Sequence, residues 1–137
     1  MMMYESFLKT IFNPIEVKFA DAIIIFLNIV KPECNWSYKK FDDDVWIYAN
    51  SNKFVFKIVK GDHKSYYNIN CDFHYNQNYS ILGGHVIEFL LHLFNKDYMT
   101  ILDITVSIDD IKYVIKKLTK ENFDDFSIKY TANKFNL

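Results

Sequence analysis

Hydrophobic and polar positions alternate most regularly between residues 45 and 75, and this stretch reads as three consecutive antiparallel strands. In the third run Tyr67, Ile69, Cys71, Phe73 and Tyr75 alternate with Asn68, Asn70, Asp72 and His74, the period of two expected of a strand with one buried and one wet face. The middle run sets Phe54, Phe56 and Ile58 against Lys53, Val55, Lys57 and Val59, and its β-branched and aromatic content suits a pleated surface. The first run, Val45, Ile47 and Ala49 against Trp46, Tyr48 and Asn50, is apolar on both faces except at its end. Asn50-Ser51-Asn52 and Gly61-Asp62-His63-Lys64 carry turn chemistry, with Gly61 free to take positive φ. An edge strand is expected at 35–41, where Trp36 and Tyr38 alternate with Ser37 and Lys39, followed by a loop of Asp42, Asp43 and Asp44.

The flanking patterns are mostly helical. Over residues 4–12, Tyr4, Phe7, Leu8, Ile11 and Phe12 share one face of a short amphipathic helix. Asn13 then reads as an N-cap, Pro14 as the first helical residue and Glu16 as the acid that reaches back to the cap. That second helix should stop near Val30, before Pro32, and its apolar residues lie nearly all round, which predicts burial. Ser80 opens a helix over 81–94 with Gly83-Gly84 in its first turn and a stripe of Leu82, Val86, Phe89, Leu90, Leu93 and Phe94. A strand apolar on both faces follows at 99–106. Ser107, with Asp110 three residues on, caps a helix whose stripe is Ile108, Ile111, Val114 or Ile115, and Leu118, and whose wet face carries Lys112, Lys116 and Lys117. After Thr119 the pattern supports either another helical turn or two at 121–126 or a terminal strand on which Phe126, Ile128 and Tyr130 alternate. The expected architecture is a single α+β domain spanning 1–137, a mostly antiparallel meander sheet with helices packed on it, in the order helix, helix, four strands, helix, strand, helix and a possible terminal strand.

Composition narrows the partners more than the chemistry. A chain of 137 residues that is 50% hydrophobic and 18% aromatic can fill one core. With 17 acidic against 16 basic residues the net charge is −1, so no global field draws it to nucleic acid or anionic membrane. Every basic residue is lysine, and a chain without arginine lacks the planar fork that phosphate and base recognition favour. The apolar run at 22–27 is far shorter than a bilayer requires, and Lys31-Pro32-Glu33-Cys34 suits no signal-peptide cleavage site, so a cytoplasmic protein is expected. Cys34 and Cys71 form no CxxC and are expected to be free thiols.

Candidate chemistry is sparse. The acidic triplet lacks the alternate spacing, glycine and glutamate of a calcium-binding loop and reads as a solvated turn. His85, Glu88 and His92 share a helix face that could approach zinc, but the histidines lie two turns apart, and the bland reading is the polar side of an amphipathic helix. No nucleophile elbow, dinucleotide or phosphate-loop pattern is present, and none of His63, His74, His85 and His92 lies near a Ser or Cys in a catalytic setting. No cofactor, metal or catalytic residue is therefore expected. What remains is aromatic side chains on one face of the meander, Trp46, Tyr48 and Tyr66, beside acidic and lysine clusters, the composition that protein-binding surfaces favour. The pattern leaves open an alternative in which helices cover both sheet faces and these rings are core.

With its acidic loop and meander aromatics the chain resembles, in architecture, the immunity proteins of bacterial toxin systems, including contact-dependent growth inhibition. The resemblance implies occlusion of the active or substrate-binding surface of a cognate protein toxin, with Asp42, Asp43 and Asp44, or Asp124 and Asp125, mimicking substrate charge before the basic cleft of a nuclease domain. Trp46, Tyr48 and Tyr66 complete the expected partner-binding set. Two other classes compete: a small secretion-type chaperone, a class usually more acidic than this chain, and a metal-dependent enzyme built on His85, Glu88 and His92.

Overall fold

The computed structural model describes residues 14–61, 66–71, 81–96 and 102–135. They form α1 (Ile15–Val30), a 3₁₀ turn (Pro32–Cys34), β1 (Ser37–Phe41), β2 (Asp44–Ala49), β3 (Lys53–Lys60), β4 (Tyr66–Cys71), α2 (Gly84–Leu93), β5 (Leu102–Ser107), α3 (Ile108–Lys117) and α4 (Lys120–Phe135). The five strands pair in sequence order, every pair antiparallel, so the architecture is the expected α+β meander. The short helix expected at 4–12 lies outside the described residues, as do Asn13, Ser80, His63 and His74.

Helices cover one side of this sheet. α1 packs across β1, β2 and β3, while α3 packs on β5 and against α1. The core between the layers takes Val45, Ile47, Phe56, Ile58, Ile69, Ile104 and Val106 from the sheet and Phe19, Ile23, Phe26, Leu27, Phe89, Leu91 and Ile111 from the helices. The pleat explains the choice, because alternate residues of each strand point to the same side.

α1 ends at Val30 as expected but departs from its sequence reading at its N-terminus and on one face. Ile15 is its first residue and Pro14 its N-cap, with no side-chain cap bond. Glu16 turns inward instead: it is buried, accepts a hydrogen bond from the Tyr67 hydroxyl at 3.1 Å and sits 3.8 Å from the Lys40 ammonium. A carboxylate that finds a phenol and an ammonium on the sheet has better partners than a solvated cap. The helix is not buried all round, since Ile25 and Ile29 are 64% and 51% exposed. At its far end Asn28 clamps the chain, accepting from the Trp36 backbone N–H at 3.0 Å, while the Trp36 indole donates to the Lys31 carbonyl at 3.0 Å. Trp36 is thereby a core residue ahead of β1 and not part of the edge strand.

The Tyr38 hydroxyl donates to Asp21 on α1 at 2.8 Å, and with the Tyr67–Glu16 bond it ties the helix to the sheet. Burial, and then the adjacent carboxylates, push both phenols up to about 12. An unfolded chain releases these protons near the ordinary tyrosine value of about 10. This contribution to stability is therefore complete below that pH and is lost as pH rises toward the folded value. Two tyrosines should titrate late in a tyrosinate absorbance titration of the folded protein, and Tyr38→Phe with Tyr67→Phe should remove that late phase. A late phase that survives both changes would assign it to other phenols.

Two glycines do different work from that expected. Gly61 has no positive φ; its N–H meets the Tyr66 carbonyl at 2.9 Å, and a Cβ there would stand 2.9 Å from that oxygen. Gly83 takes φ +86 and breaks the helical run, so the turn at 81–82 is separate from α2. A non-glycine residue rarely adopts that conformation.

The Ser107 box forms as the spacing predicts: the Ser107 hydroxyl accepts from the Asp110 N–H at 3.1 Å and the Asp110 carboxylate accepts from the Ser107 N–H at 3.0 Å. Ser107→Ala should cost about 1 kcal/mol in urea denaturation, and an unchanged midpoint would show that α3 does not depend on its cap.

Of the two alternatives for the segment after Thr119, the helix holds and the terminal strand is excluded. Residues 120–135 are helical, and Phe123, Phe126 and Tyr130 lie at the i, i+3, i+7 spacing that brings rings onto α2. Ile128, which a strand would have put with them, is 70% exposed. Thr119 starts the helix by accepting from the Asn122 N–H at 3.1 Å.

Candidate functional site

The sheet face opposite the helices carries the side chains of interest, and its rows follow from the register. Across one row lie Phe41, Asp44, Val59, Asn68 and Thr105. Across the next lie Lys39, Trp46 and Lys57, and across the third Ser37, Tyr48 and Phe54. None of these side chains belongs to the core, and Tyr66 projects from the same face, 45% exposed. The half holding β4 and β5 is polar, with the Thr105 hydroxyl donating to the Asn68 side-chain oxygen at 2.9 Å.

The half holding β1 to β3 is an aromatic cluster. Phe41 meets Trp46 at a ring separation of 5.3 Å, Trp46 meets Phe54 at 4.9 Å, and Phe54 meets Tyr48 at 6.2 Å, each pair inclined by 50° or more. The Lys57 ammonium lies over the Trp46 ring at 5.6 Å and the Lys39 ammonium over the Tyr48 ring at 5.2 Å. The Trp46 indole N–H is buried without an acceptor.

A bulge assembles the cluster. Ile47 pairs with Phe56 and Tyr48 with Phe54, so Val55 is an extra residue in β3. Its insertion reverses the parity of the strand below it, burying Val55 and turning Phe54 outward, where strict alternation had placed Phe54 beside Phe56 and Ile58 in the core. The bulge hid Phe54 as a site residue; Phe41, Lys39 and Lys57 were also missed, because their places beside Trp46 depend on the pairing of strands. Lys39 could have been found from its position opposite Trp46 once the hairpin register was known.

The acidic triplet divides. Asp42 and Asp43 form the exposed turn between β1 and β2, whereas Asp44 is the first, half-buried residue of β2 and pairs with Phe41. Asp42 is left-handed at φ +44, a conformation that aspartate tolerates, and its carbonyl accepts from the Lys40 ammonium at 2.7 Å. The turn therefore sits at one end of the aromatic cluster. Asp124 and Asp125 lie on α4 instead, in the helical layer, where Asp124 is paired with Lys120 at 2.7 Å in full solvent.

The histidine face of α2 does not converge. His85 meets the Tyr130 ring at 4.9 Å and His92 the Phe126 ring at 5.2 Å, so each imidazole is turned to a different residue of α4. Burial raises the Glu88 carboxyl above its ordinary value. Among the described residues no three His, Cys, Asp or Glu side chains are grouped to hold a metal ion, and the Cys34 thiol is free. A cleft of about 470 Å³ opens beside this face between α2, α3 and α4, but its charged residues Lys117, Asp125 and Lys129 all stand in solvent.

The fold and this surface define an α+β domain whose described helices pack on one side of the sheet and whose other face bears an aromatic cluster that no described helix covers. No protein-family model matches the chain, and no match is found among curated proteins or among solved structures. Among the described residues no helix is long and apolar enough to cross a membrane.

Proposed function

We propose that this chain is an immunity protein that binds a cognate bacterial toxin domain through the sheet face opposite its described helices and neutralises it by occlusion. The observation that supports the reading is the cluster of Phe41, Trp46, Tyr48 and Phe54 on a face that no described helix covers, flanked by Lys39, Lys57 and the Asp42–Asp43 turn. Rings that are partly dry in the free protein and framed by charge can bury further area on contact with little loss of side-chain freedom, because their neighbours already hold them. The deciding experiment is affinity purification from the source cells followed by co-expression. A stable partner whose expression alone arrests growth should be silenced by this chain and not by a variant with a disrupted aromatic cluster. Full protection by that variant, or a partner with no toxic activity, would remove the reading.

The turn should act on the rate of encounter. Asp42→Asn keeps a side chain suited to the left-handed conformation, and Asp43→Lys reverses the neighbouring charge. Together they should leave stability within about 0.5 kcal/mol while slowing partner association severalfold and flattening its salt dependence, measured by stopped-flow mixing. An unchanged association rate would exclude the turn from the docking path.

A further inference from the structure

Across β1 to β3 the row that holds Trp46 carries two positive charges, opposite in sign to the turn at the end of this face. Lys39, Trp46 and Lys57 lie side by side on β1, β2 and β3. At the usual strand spacing the two lysine backbones are about 10 Å apart, and the row beginning at Asp44 lies about 7 Å further along the strands. Among the described residues neither ammonium is paired with a carboxylate, each resting instead over a ring. A cation–ring contact stabilises an ammonium without neutralising it, so both charges remain available to an incoming anion.

Building on the proposed docking face, we infer that its partner is a protein surface bearing a carboxylate patch that meets Lys39 and Lys57, set beside a basic group that meets the Asp42–Asp43 turn. The face recognises a surface of both signs, not a uniformly basic cleft. Single-stranded nucleic acid is the other anion that aromatic side chains and lysines can take, but it needs open ring faces for stacking. Here the Trp46 and Tyr48 ring faces carry the lysine ammoniums, Phe54 packs between them, and the aspartates at the end of the face oppose a phosphate backbone.

The test selects displayed random peptides on the whole protein and counter-selects them on Trp46→Ala, with Lys39→Gln/Lys57→Gln as a second variant that changes only surface charge; thermal melts of both establish that they fold. Trp46-dependent peptides enriched in Asp and Glu, whose affinity falls about tenfold at low salt in the lysine variant, support the inference. Trp46-dependent peptides without acidic enrichment, or indifferent to the lysines, overturn it while leaving the docking face intact. Absence of any Trp46-dependent peptide overturns it together with the docking face. A fluorescent oligothymidylate that binds the wild type more tightly than the selected peptides, and loses binding in both variants, overturns it in favour of nucleic acid.

Discussion

Phe89→Ala should cost about 3–5 kcal/mol in urea denaturation, the range for emptying a fully enclosed phenylalanine site. Phe89 is 1% exposed and its ring touches three others: Phe26 of α1 at 5.6 Å, Phe123 of α4 at 5.4 Å and Phe126 of α4 at 5.6 Å. Phe26 and Phe123 also meet at 5.7 Å, so removing the shared ring leaves both without a face. Since domains of this size are stable by roughly 5–15 kcal/mol, such a loss takes a large part of the total. The effect should be uneven along the chain. α4 is not a strand and, among the described elements, packs mainly on α2 and α1, so amide exchange over 120–135 should rise before exchange over the sheet. A loss below about 1 kcal/mol would mean that the rings of α4 are not seated on Phe89.

Trp46→Ala should act mainly on the proposed complex. The ring is half-buried and backed by Phe41 and Phe54, and its N–H is enclosed without an acceptor. Deleting it removes packing but also an unmet donor, which offsets part of the loss, so stability should fall by about 1–2 kcal/mol, well short of a core truncation. The partner complex should weaken by about 2 kcal/mol or more, near thirtyfold in Kd, as expected of a central aromatic anchor. Isothermal titration and thermal melts of the same variant separate the two effects. Unchanged partner affinity would take the aromatic cluster out of the binding site.

Elements governed by local chemistry were legible in the sequence. Pro32 ends α1 as its ring geometry requires, the Ser107–Asp110 box starts α3, and the periods of β2 and β4 place Ile47 and Ile69 in the core. What stayed illegible depended on contacts between segments. Glu16 sits in a capping position by sequence, but Tyr67, fifty-one residues on, offers it a partner inside the protein. The parity of Phe54 depends on a bulge that needs no glycine and leaves no mark on composition. Phe126, Ile128 and Tyr130 fit a period of two as well as Phe123, Phe126 and Tyr130 fit a helix, and only the rings waiting on α2 decide between them. For the candidate site the same division holds. Trp46, Tyr48 and Tyr66 could be named from alternation, whereas the side of the sheet on which the described helices pack is a property of where those helices land.

The order of the strands bears on how the chain reaches this state. β2, β3 and β4 each pair with the strand before them in sequence, across connections of a few residues, so these three hairpins can close within microseconds and at small entropic cost. β5 pairs with β4 only after thirty intervening residues that include α2. Its arrival is the long-range event of folding, and until it occurs the β4 edge, with Tyr66 and Asn68 along it, is an open template to which another chain could add a strand. During synthesis the meander leaves the ribosome before β5 does, and the interval between the two is when a chain of this design is most exposed to misassociation.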